Sequence, residues 1–374
     1  MKILVTGAAG FLGKNLIFNL RNKGYEDIFE YTLGSTDEDL KKYTSECDFV
    51  FHLAGVNRPK DPKEFEEGNA GLTKKILVSL KQNGNRAPVL LSSSIQAGLN
   101  NDYGRSKRAA EEAVFEYGRE EDIPVYVYRF PNLFGKWSMP NYNPVIATFC
   151  HNIARGLPIR IDDREKVISL AYVDDVIDQF LRILKTGIRI PPGEFVTFPP
   201  NLIYERKLGF IADRIESFKR SRENLMIPDM GDEFEKKLYS TYLSFLPEND
   251  FLYPLKPNTD ERGSFTEFIK TPERGQVSVN VSHPGITKGQ HWHNSKNEKF
   301  LVVKGRAAIN FRKIGSEEVI TYHVSGEKPE VVDIPTGYTH NIVNEGDTDL
   351  ITVMWANEIF DPQHPDTYYE KVIE

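Results

Sequence analysis

Cysteine is nearly missing from this chain: Cys47 and Cys150 are the only two in 374 residues. Two thiols are too few for a disulfide framework, so nothing calls for an oxidising compartment and a cytoplasmic protein is expected. Long apolar runs are missing as well. No stretch approaches the roughly 20 apolar residues of a membrane span, so no membrane insertion is expected. The short apolar run between Met1 and Gly13 dissolves into glycines without a cleavage-type segment, unlike a secretory signal. Basic blocks are absent too. The formal charge is −7, and "KQNGNR" reads as a solvated helix end, so nucleic acid is not an expected partner. There is no internal repeat. What remains is 40% hydrophobic and 27% charged, the composition of a soluble globular protein. Its length exceeds what a single core usually supports, so two domains are expected.

The apolar pattern changes once along the chain. Up to about residue 185, short β-branched runs such as "KILVTG", "DFVFHLAG", "APVLLSSS" and "VYVYRF" alternate with helical stretches. That alternation predicts βαβ units on a doubly wound parallel sheet, a Rossmann-type α/β domain. After "FLPENDFLYPLKPNTDERG" come short period-2 runs broken by glycine and proline, such as "QVSVNVS", "KFLVVKGRAAINF" and "DLITVMWA". These predict an all-β barrel or sandwich. The expected domains are residues 1–248 and 257–374, with Pro247 and Pro254 marking the seam.

The opening "ILVTGAAGFLGKNLIFNL" reads as strand, turn and helix, with Gly7, Gly10 and Gly13 spaced G-x-x-G-x-x-G. Glycine permits the tight turn, lets backbone approach a pyrophosphate, and aims a helix N-terminus at negative charge, so a dinucleotide is expected. The second strand, "DIFEYTL", leads into Gly34 and Ser35 with no carboxylate before Asp37, which favours NADPH over NADH. In "DYGRSKRAAEEAVFEY", Tyr103 and Lys107 stand four apart, on one helix face. An ammonium there lowers the phenol pKa and readies it as a general acid or base for a carbonyl/alcohol pair. Ser94, ending "VLLSSS", offers a second hydrogen bond to the same oxygen.

With "HLAGVN", "PNLFG" and "YVDDV", these residues resemble the extended short-chain dehydrogenase/reductases that act on nucleotide sugars. The resemblance implies Ser94, Tyr103 and Lys107 as the catalytic triad. It implies cofactor contacts at Gly7, Gly10, Phe11, Leu12, Gly13, Leu53, Ala54, Tyr103 and Lys107, and places Asn132 near the substrate. Three departures stand out. The gap from Ser94 to Tyr103 is shorter than is usual in the family. Ile168 stands where an arginine is customary, leaving Arg160 or Arg164 for the diphosphate. Ile95 and Gln96 replace the acidic pair of sugar dehydratases, so dehydration is not expected.

In "GQHWHNSKNEKF", His291 and His293 are two apart, on one side of a strand, with Glu298 five residues on and His340 in a later "PTGYTHNIVN". With Glu298 arriving from the next strand and His340 from a facing hairpin, three imidazoles and a carboxylate suit Zn²⁺ or another divalent metal. The pattern, with Gly285 and Gly305, resembles the cupins, whose fold is a double-stranded β-helix or jelly roll. It also resembles the cupin-like dTDP-sugar 3,5-epimerases through "DERGSF", "QVSVNVS" and "GQHWHNSKNEK". That second resemblance implies Arg262 at nucleotide phosphates, Gln276 and Asn280 at the sugar, and Lys299 as the catalytic proton or enolate group.

A sugar C3 proton is acidic only beside a C4 ketone, and reduction destroys that ketone, so the β domain is expected to act first and the nucleotide domain second. The order of the two halves, with "PNLFGKW", "STYLSFLP" and "GYTHNI", resembles a family of bacterial capsular-polysaccharide enzymes almost end to end. The resemblance implies a homodimer and a UDP-linked 4-keto amino sugar, UDP-2-acetamido-2,6-dideoxy-hexos-4-ulose. This substrate is epimerised at C3 and reduced by NADPH to UDP-N-acetyl-L-talosamine, on the way to N-acetyl-L-fucosamine. The alternative is a single-activity reductase or 4-epimerase with a structural, dimerising metal-cupin domain.

Overall fold

The computed structural model describes residues 1–57, 61, 63–141, 144–191 and 193–373. The chain forms two compact units, Met1–Glu216 with Lys237–Pro247, and Ser217–Lys236 with Glu248–Glu374. The first unit begins β1 (Ile3–Thr6), α1 (Phe11–Asn22), β2 (Ile28–Tyr31), α2 (Asp37–Glu46) and β3 (Phe49–His52). A single turn α3 (Lys63–Phe65) leads through a π-helical stretch into α4 (Leu72–Gln82), followed by β4 (Val89–Ser94), α5 (Asp102–Glu120) and β5 (Val125–Phe130). Five parallel strands lie in the order β2-β1-β3-β4-β5. The order reverses between β1 and β3, and the crevice beyond the strand ends there is where ligands bind in doubly wound sheets.

The continuous apolar runs follow from burial on both faces of that sheet. Ile3 and Val5 pack with Phe49, Phe51, Leu90, Tyr126 and Tyr128 on one face, while Leu4 packs with Val50, Val89, Leu91, Val125 and Val127 on the other. The chain continues as β6 (Asn132–Phe134), α6 (Val145–Ala154), β7 (Val167–Tyr172), α7 (Val173–Thr186), β8 (Ile203–Lys207), α8 (Leu208–Asn224) and α9 (Glu233–Leu243). Strands β6, β7 and β8 form a small separate sheet. Helix α7 buries Val173, Val176, Ile177, Phe180, Ile183 and Leu184, the stripe expected of a 3.6-residue period, and stops at left-handed Gly187. Among the described residues, no helix is long and apolar enough to cross a membrane.

The second unit is the antiparallel jelly roll of a cupin-like domain. Its strands are β9 (Asn258–Asp260), β10 (Gly263–Thr271), β11 (Gly275–Ser282), β12 (Thr287–Trp292), β13 (Glu298–Lys304) and β14 (Arg306–Lys313), then β15 (Val319–Ser325), β16 (Val331–Ile334), β17 (Tyr338–Asn344), β18 (Leu350–Ala356) and β19 (Tyr368–Tyr369). They form a six-stranded sheet ordered β16-β13-β18-β11-β10-β9 and a five-stranded sheet ordered β15-β14-β17-β12-β19. Phe300, Val302, Val332, Ile334 and Leu350 of the first meet Ala307, Ile309, Phe311 and Ile342 of the second in one core. The segment Ser217–Lys236 belongs with this unit through backbone bonds. Met226 bridges Lys270, Ile227 donates to the Lys270 carbonyl at 2.8 Å, and Lys270 donates to Leu225 at 2.9 Å. The division therefore differs from a single cut near residue 250, because backbone pairing carries no side-chain pattern to read.

Phe180 is fully buried against Phe51, Tyr128 and Phe130. Phe180→Ala is expected to cost about 3–5 kcal/mol in denaturant unfolding, and a cost below about 1 kcal/mol would contradict this packing.

Candidate functional site

The first unit encloses a cavity of about 380 Å³ at the strand ends. Gly7, Gly10, Phe11, Leu12, Gly13, Leu53, Ser94, Tyr103, Lys107 and Asn132 all line it, so the structure brings these expected residues together. Ala54 does not line it. Its backbone lies beneath the glycine turn, with its N–H directed to the Thr6 hydroxyl at 3.3 Å. Gly7 has a φ of +67°, and a Cβ there would stand 2.7 Å from the Ala54 nitrogen, so both conformation and space require glycine. Arg160 and Arg164 are outside the cavity, paired with Asp162 and Asp213. Trp137 and Met139 also line the cavity, and no spacing rule singles them out.

Helix α5 carries the Tyr-Lys pair. Asn101 caps it by accepting from the Gly104 N–H at 2.7 Å. A Cβ on Gly104 would come within 2.3 Å of the Leu99 carbonyl, so glycine lets the helix start against the turn that follows Ser94. Lys107 is 7% exposed and donates to the Ser92 carbonyl at 3.3 Å. Burial pushes its amine down to about 8, with Glu111 opposing the shift. Tyr103 behaves differently from the expectation of a lysine-lowered phenol. Burial raises its pKa, a hydrogen bond with Ser94 works against that, and the lysine ammonium stands 6.0 Å from the ring centroid. The half-buried phenol thus stays protonated, which suits a proton donor.

One buried carboxylate ties this site together. Glu111, 2% exposed and one turn beyond Lys107, accepts from Ser93 at 2.5 Å and from Arg129 Nε and Nη2 at 2.9 and 2.6 Å. Ser93 precedes Ser94 on β4, and Arg129 lies near the end of β5, shortly before Asn132. The signal was present in the sequence, since Glu111 follows Lys107 at i+4. Asn132 donates to the Ser169 carbonyl at 3.1 Å.

In the second unit, His291, His293, Glu298 and His340 offer ligand atoms that all lie within 4.8 Å of one another. His291 and His340 are direct partners on neighbouring strands β12 and β17, not on facing hairpins as the sequence suggests. His293 follows the end of β12, and Glu298 opens β13 in the opposite sheet. Its Oε2 stands 3.5 Å from His293 Nε2 and 3.4 Å from His340 Nε2. His293 Nε2, Glu298 Oε2 and both ring nitrogens of His340 are buried without a hydrogen-bond partner. Orphaned buried polar atoms are costly, and one from each of His293, Glu298 and His340, with His291 beside them, fits the donor set of a divalent cation. Burial, then the neighbouring His340 and His293, pushes His291 down to about 4, leaving a neutral imidazole. Burial alone would raise Glu298, but the adjacent His293 and His340 rings outweigh it and hold the carboxyl well below its ordinary range.

Lys299 is not brought to this cluster, which corrects the expectation of a catalytic lysine there. Strand alternation turns it to the face opposite Glu298, where it is half exposed and paired with Asp333. Gln276 and Asn280 are buried on β11. Gln276 accepts from the Phe360 N–H at 3.2 Å, and Asn280 accepts from Lys288 at 2.8 Å. Arg262 is exposed and braced by Asp260, with Nε at 3.0 Å.

The model of the NAD dependent epimerase/dehydratase family matches residues 3–197, and that of the polysaccharide biosynthesis C-terminal domain matches residues 258–368. The chain is 44% identical over 368 residues, 98% of each sequence, to the UDP-2-acetamido-2,6-beta-L-arabino-hexul-4-ose reductase of Pseudomonas aeruginosa. The structure is similar to that of the capsular polysaccharide assembling protein CapF from Staphylococcus aureus, at 52% identity and a TM-score of 0.93 over 100% of both chains. A UDP-glucose 4-epimerase from Thermotoga maritima, 20% identical, shares only the fold, with a TM-score of 0.54 over 66% of this chain and 98% of that one.

The groups facing Lys107 are Tyr103, Glu111 and the buried His52, itself pushed down to about 3 by burial and by the Lys107 charge. Since the amine loses its proton as pH rises through about 8, nicotinamide-dependent ketone reduction should fall through that same pH. Glu111→Gln removes an opposing charge and should move the fall to lower pH, read from kcat/KM against pH. An unmoved profile would count against the Glu111 contribution.

Proposed function

Since the chain belongs to the NAD dependent epimerase/dehydratase family, we propose that it is a UDP-sugar reductase and epimerase of capsular polysaccharide synthesis. Its substrate in this reading is UDP-2-acetamido-2,6-dideoxy-hexos-4-ulose. The second unit inverts C3, and the first then reduces the C4 ketone to UDP-N-acetyl-L-talosamine, a precursor of N-acetyl-L-fucosamine. The observation that carries this reading is the pairing, in one chain, of a tyrosine-lysine cavity with a buried three-histidine, one-glutamate cluster. The name of the Pseudomonas relative supports the substrate. The enzyme works as a cytoplasmic homodimer.

Bound reduced nicotinamide, NADPH in this reading, supplies hydride to the ketone carbon. The chain's own residues supply the rest of the reduction. Tyr103 holds the proton destined for the C4 oxygen, and burial keeps it there until that oxygen becomes basic. Ser94, bonded to Tyr103, orients the same oxygen, and Lys107 is the cation that favours phenolate once the proton has left. Asn132 contacts the sugar. In the second unit His291, His293, Glu298 and His340 would hold a divalent ion, Zn²⁺ by its donor set, whose Lewis acidity suits polarisation of a carbonyl. Gln276 and Asn280 are assigned to the sugar, and Arg262 to the diphosphate. Because C3 is acidic only while C4 is a ketone, inversion precedes reduction.

The depth of His293 and His340, each 1% exposed, favours a second reading in which the ion is a structural staple and the chain is a reductase alone. Incubation of the keto sugar with the enzyme in D₂O separates the two. Deuterium should appear at C3 without cofactor, and addition of NADPH should trap it in a C4 alcohol. Tyr103→Phe should keep C3 exchange while cofactor oxidation drops by about 10²-fold or more. Absence of label at C3 from the wild-type enzyme would leave only the reductase.

A further inference from the structure

The ligand side chains of the second unit do not hold themselves in place. His291 and His293 sit at the end of β12 beyond a bulge at Gln290, whose φ is +66°, and residues 294–297 form an irregular turn before Glu298. What this turn rests on is the segment Asp366–Val372. The Asp366 carbonyl accepts from His293 Nδ1, which leaves Nε2 turned toward Glu298. The Asp366 carboxylate accepts from the backbone N–H groups of Asn294, Ser295 and Lys296 at 3.0, 2.7 and 2.7 Å, and from the Ser295 hydroxyl at 3.1 Å. Lys296, 8% exposed, donates to the Thr367 hydroxyl at 2.8 Å.

The same segment reaches the other two histidines. Tyr369 and Tyr368 of β19 pair with His291 and Trp292. Glu370 donates its N–H to the Gln290 carbonyl at 2.9 Å, and Val372 donates to the Gln290 side chain at 2.9 Å. The Thr339 hydroxyl, next to His340, donates to the Glu370 carbonyl, and Arg312 on β14 anchors Glu370 at 2.8 Å and Val372 at 3.0 Å. Each of the three histidines is therefore held, directly or through its chain neighbour, by one stretch of seven residues.

We propose that Asp366–Val372 is a positioning strap for the cation site, with Asp366 as its principal anchor: it fixes the His293 ring and the turn leading to Glu298 so that all four donors converge. The inference rests on the reading of the cluster as a divalent-metal site. A hydrogen bond to the far nitrogen of a ligating imidazole sets which nitrogen is free and how the ring is aimed, and losing such a partner commonly costs 10–100-fold in metal affinity. Asp366 would act through the backbone of residues 294–296, touching neither ion nor substrate.

The test is titration of the full-length chain with Zn²⁺ alone against a chromophoric chelator. Wild type should bind one ion per chain, Asp366→Ala, which keeps the main-chain acceptor for His293 but loses the carboxylate holding residues 294–296, about 10-fold more weakly, and Asp366→Asn, which keeps one acceptor oxygen, in between. Thr339→Val, lacking the bond beside His340, should weaken binding as well and serves should Asp366→Ala not fold, with hydrogen-exchange protection of β13 and β14 reporting on the folded second unit. Wild-type affinity in both Asp366→Ala and Thr339→Val would overturn the strap while leaving the metal site standing. A wild-type chain that takes up no ion would overturn the metal reading itself, and the strap with it.

Discussion

Three buried ligand atoms without hydrogen-bond partners, one each on His293, Glu298 and His340, are the constraint on which the second unit turns. A protein interior tolerates few such atoms, because each forfeits its bonds to water and gains nothing in return. The two β-sheets bring them together all the same. His291 and His340 come from neighbouring strands of one sheet and Glu298 from the other, so the cluster spans the sandwich where the apolar core around Phe300 and Phe311 ends. A divalent cation held there would offset the cost and add a bond between the two sheets.

The first unit solves an opposite problem. Its cavity sets charged and polar groups against apolar walls, and it keeps them there by burying the compensating charge. Lys107 loses much of its preference for the proton on burial, and Glu111 returns part of it from one helical turn away, itself neutralised by Arg129. Removing Arg129 would leave the buried Glu111 carboxylate uncompensated, which is costly and makes the pair a firm reference point. The strand bearing Ser94, the helix bearing Lys107 and the strand leading to Asn132 all meet at that one carboxylate.

How much of this the sequence discloses depends on whether the information lies in side chains. The parallel sheet was legible because strands buried on both faces must be apolar throughout, and the jelly roll because its strands alternate. The histidine pair was legible because both members sit within three residues. Lys299 misled, since a lysine one residue from a ligand looks local in a string but faces away on a strand. The raised pKa of Tyr103 depends on burial, which spacing does not reveal. The strap at 366–372 was out of reach, because most of its bonds involve backbone atoms that any residue supplies. The attachment of Ser217–Lys236 to the β unit was hidden for the same reason.

That attachment bears on how the two halves came to share a polypeptide. The chain leaves the nucleotide-binding unit after Glu216, returns at Lys237 and departs again after Pro247, so the units are interleaved and not strung end to end. A gene truncated at either margin would encode a product with backbone donors and acceptors around Leu225 and Lys270 stripped of their mates. Modular shuffling of such a pair is disfavoured, and descent should preserve them as one inheritable block.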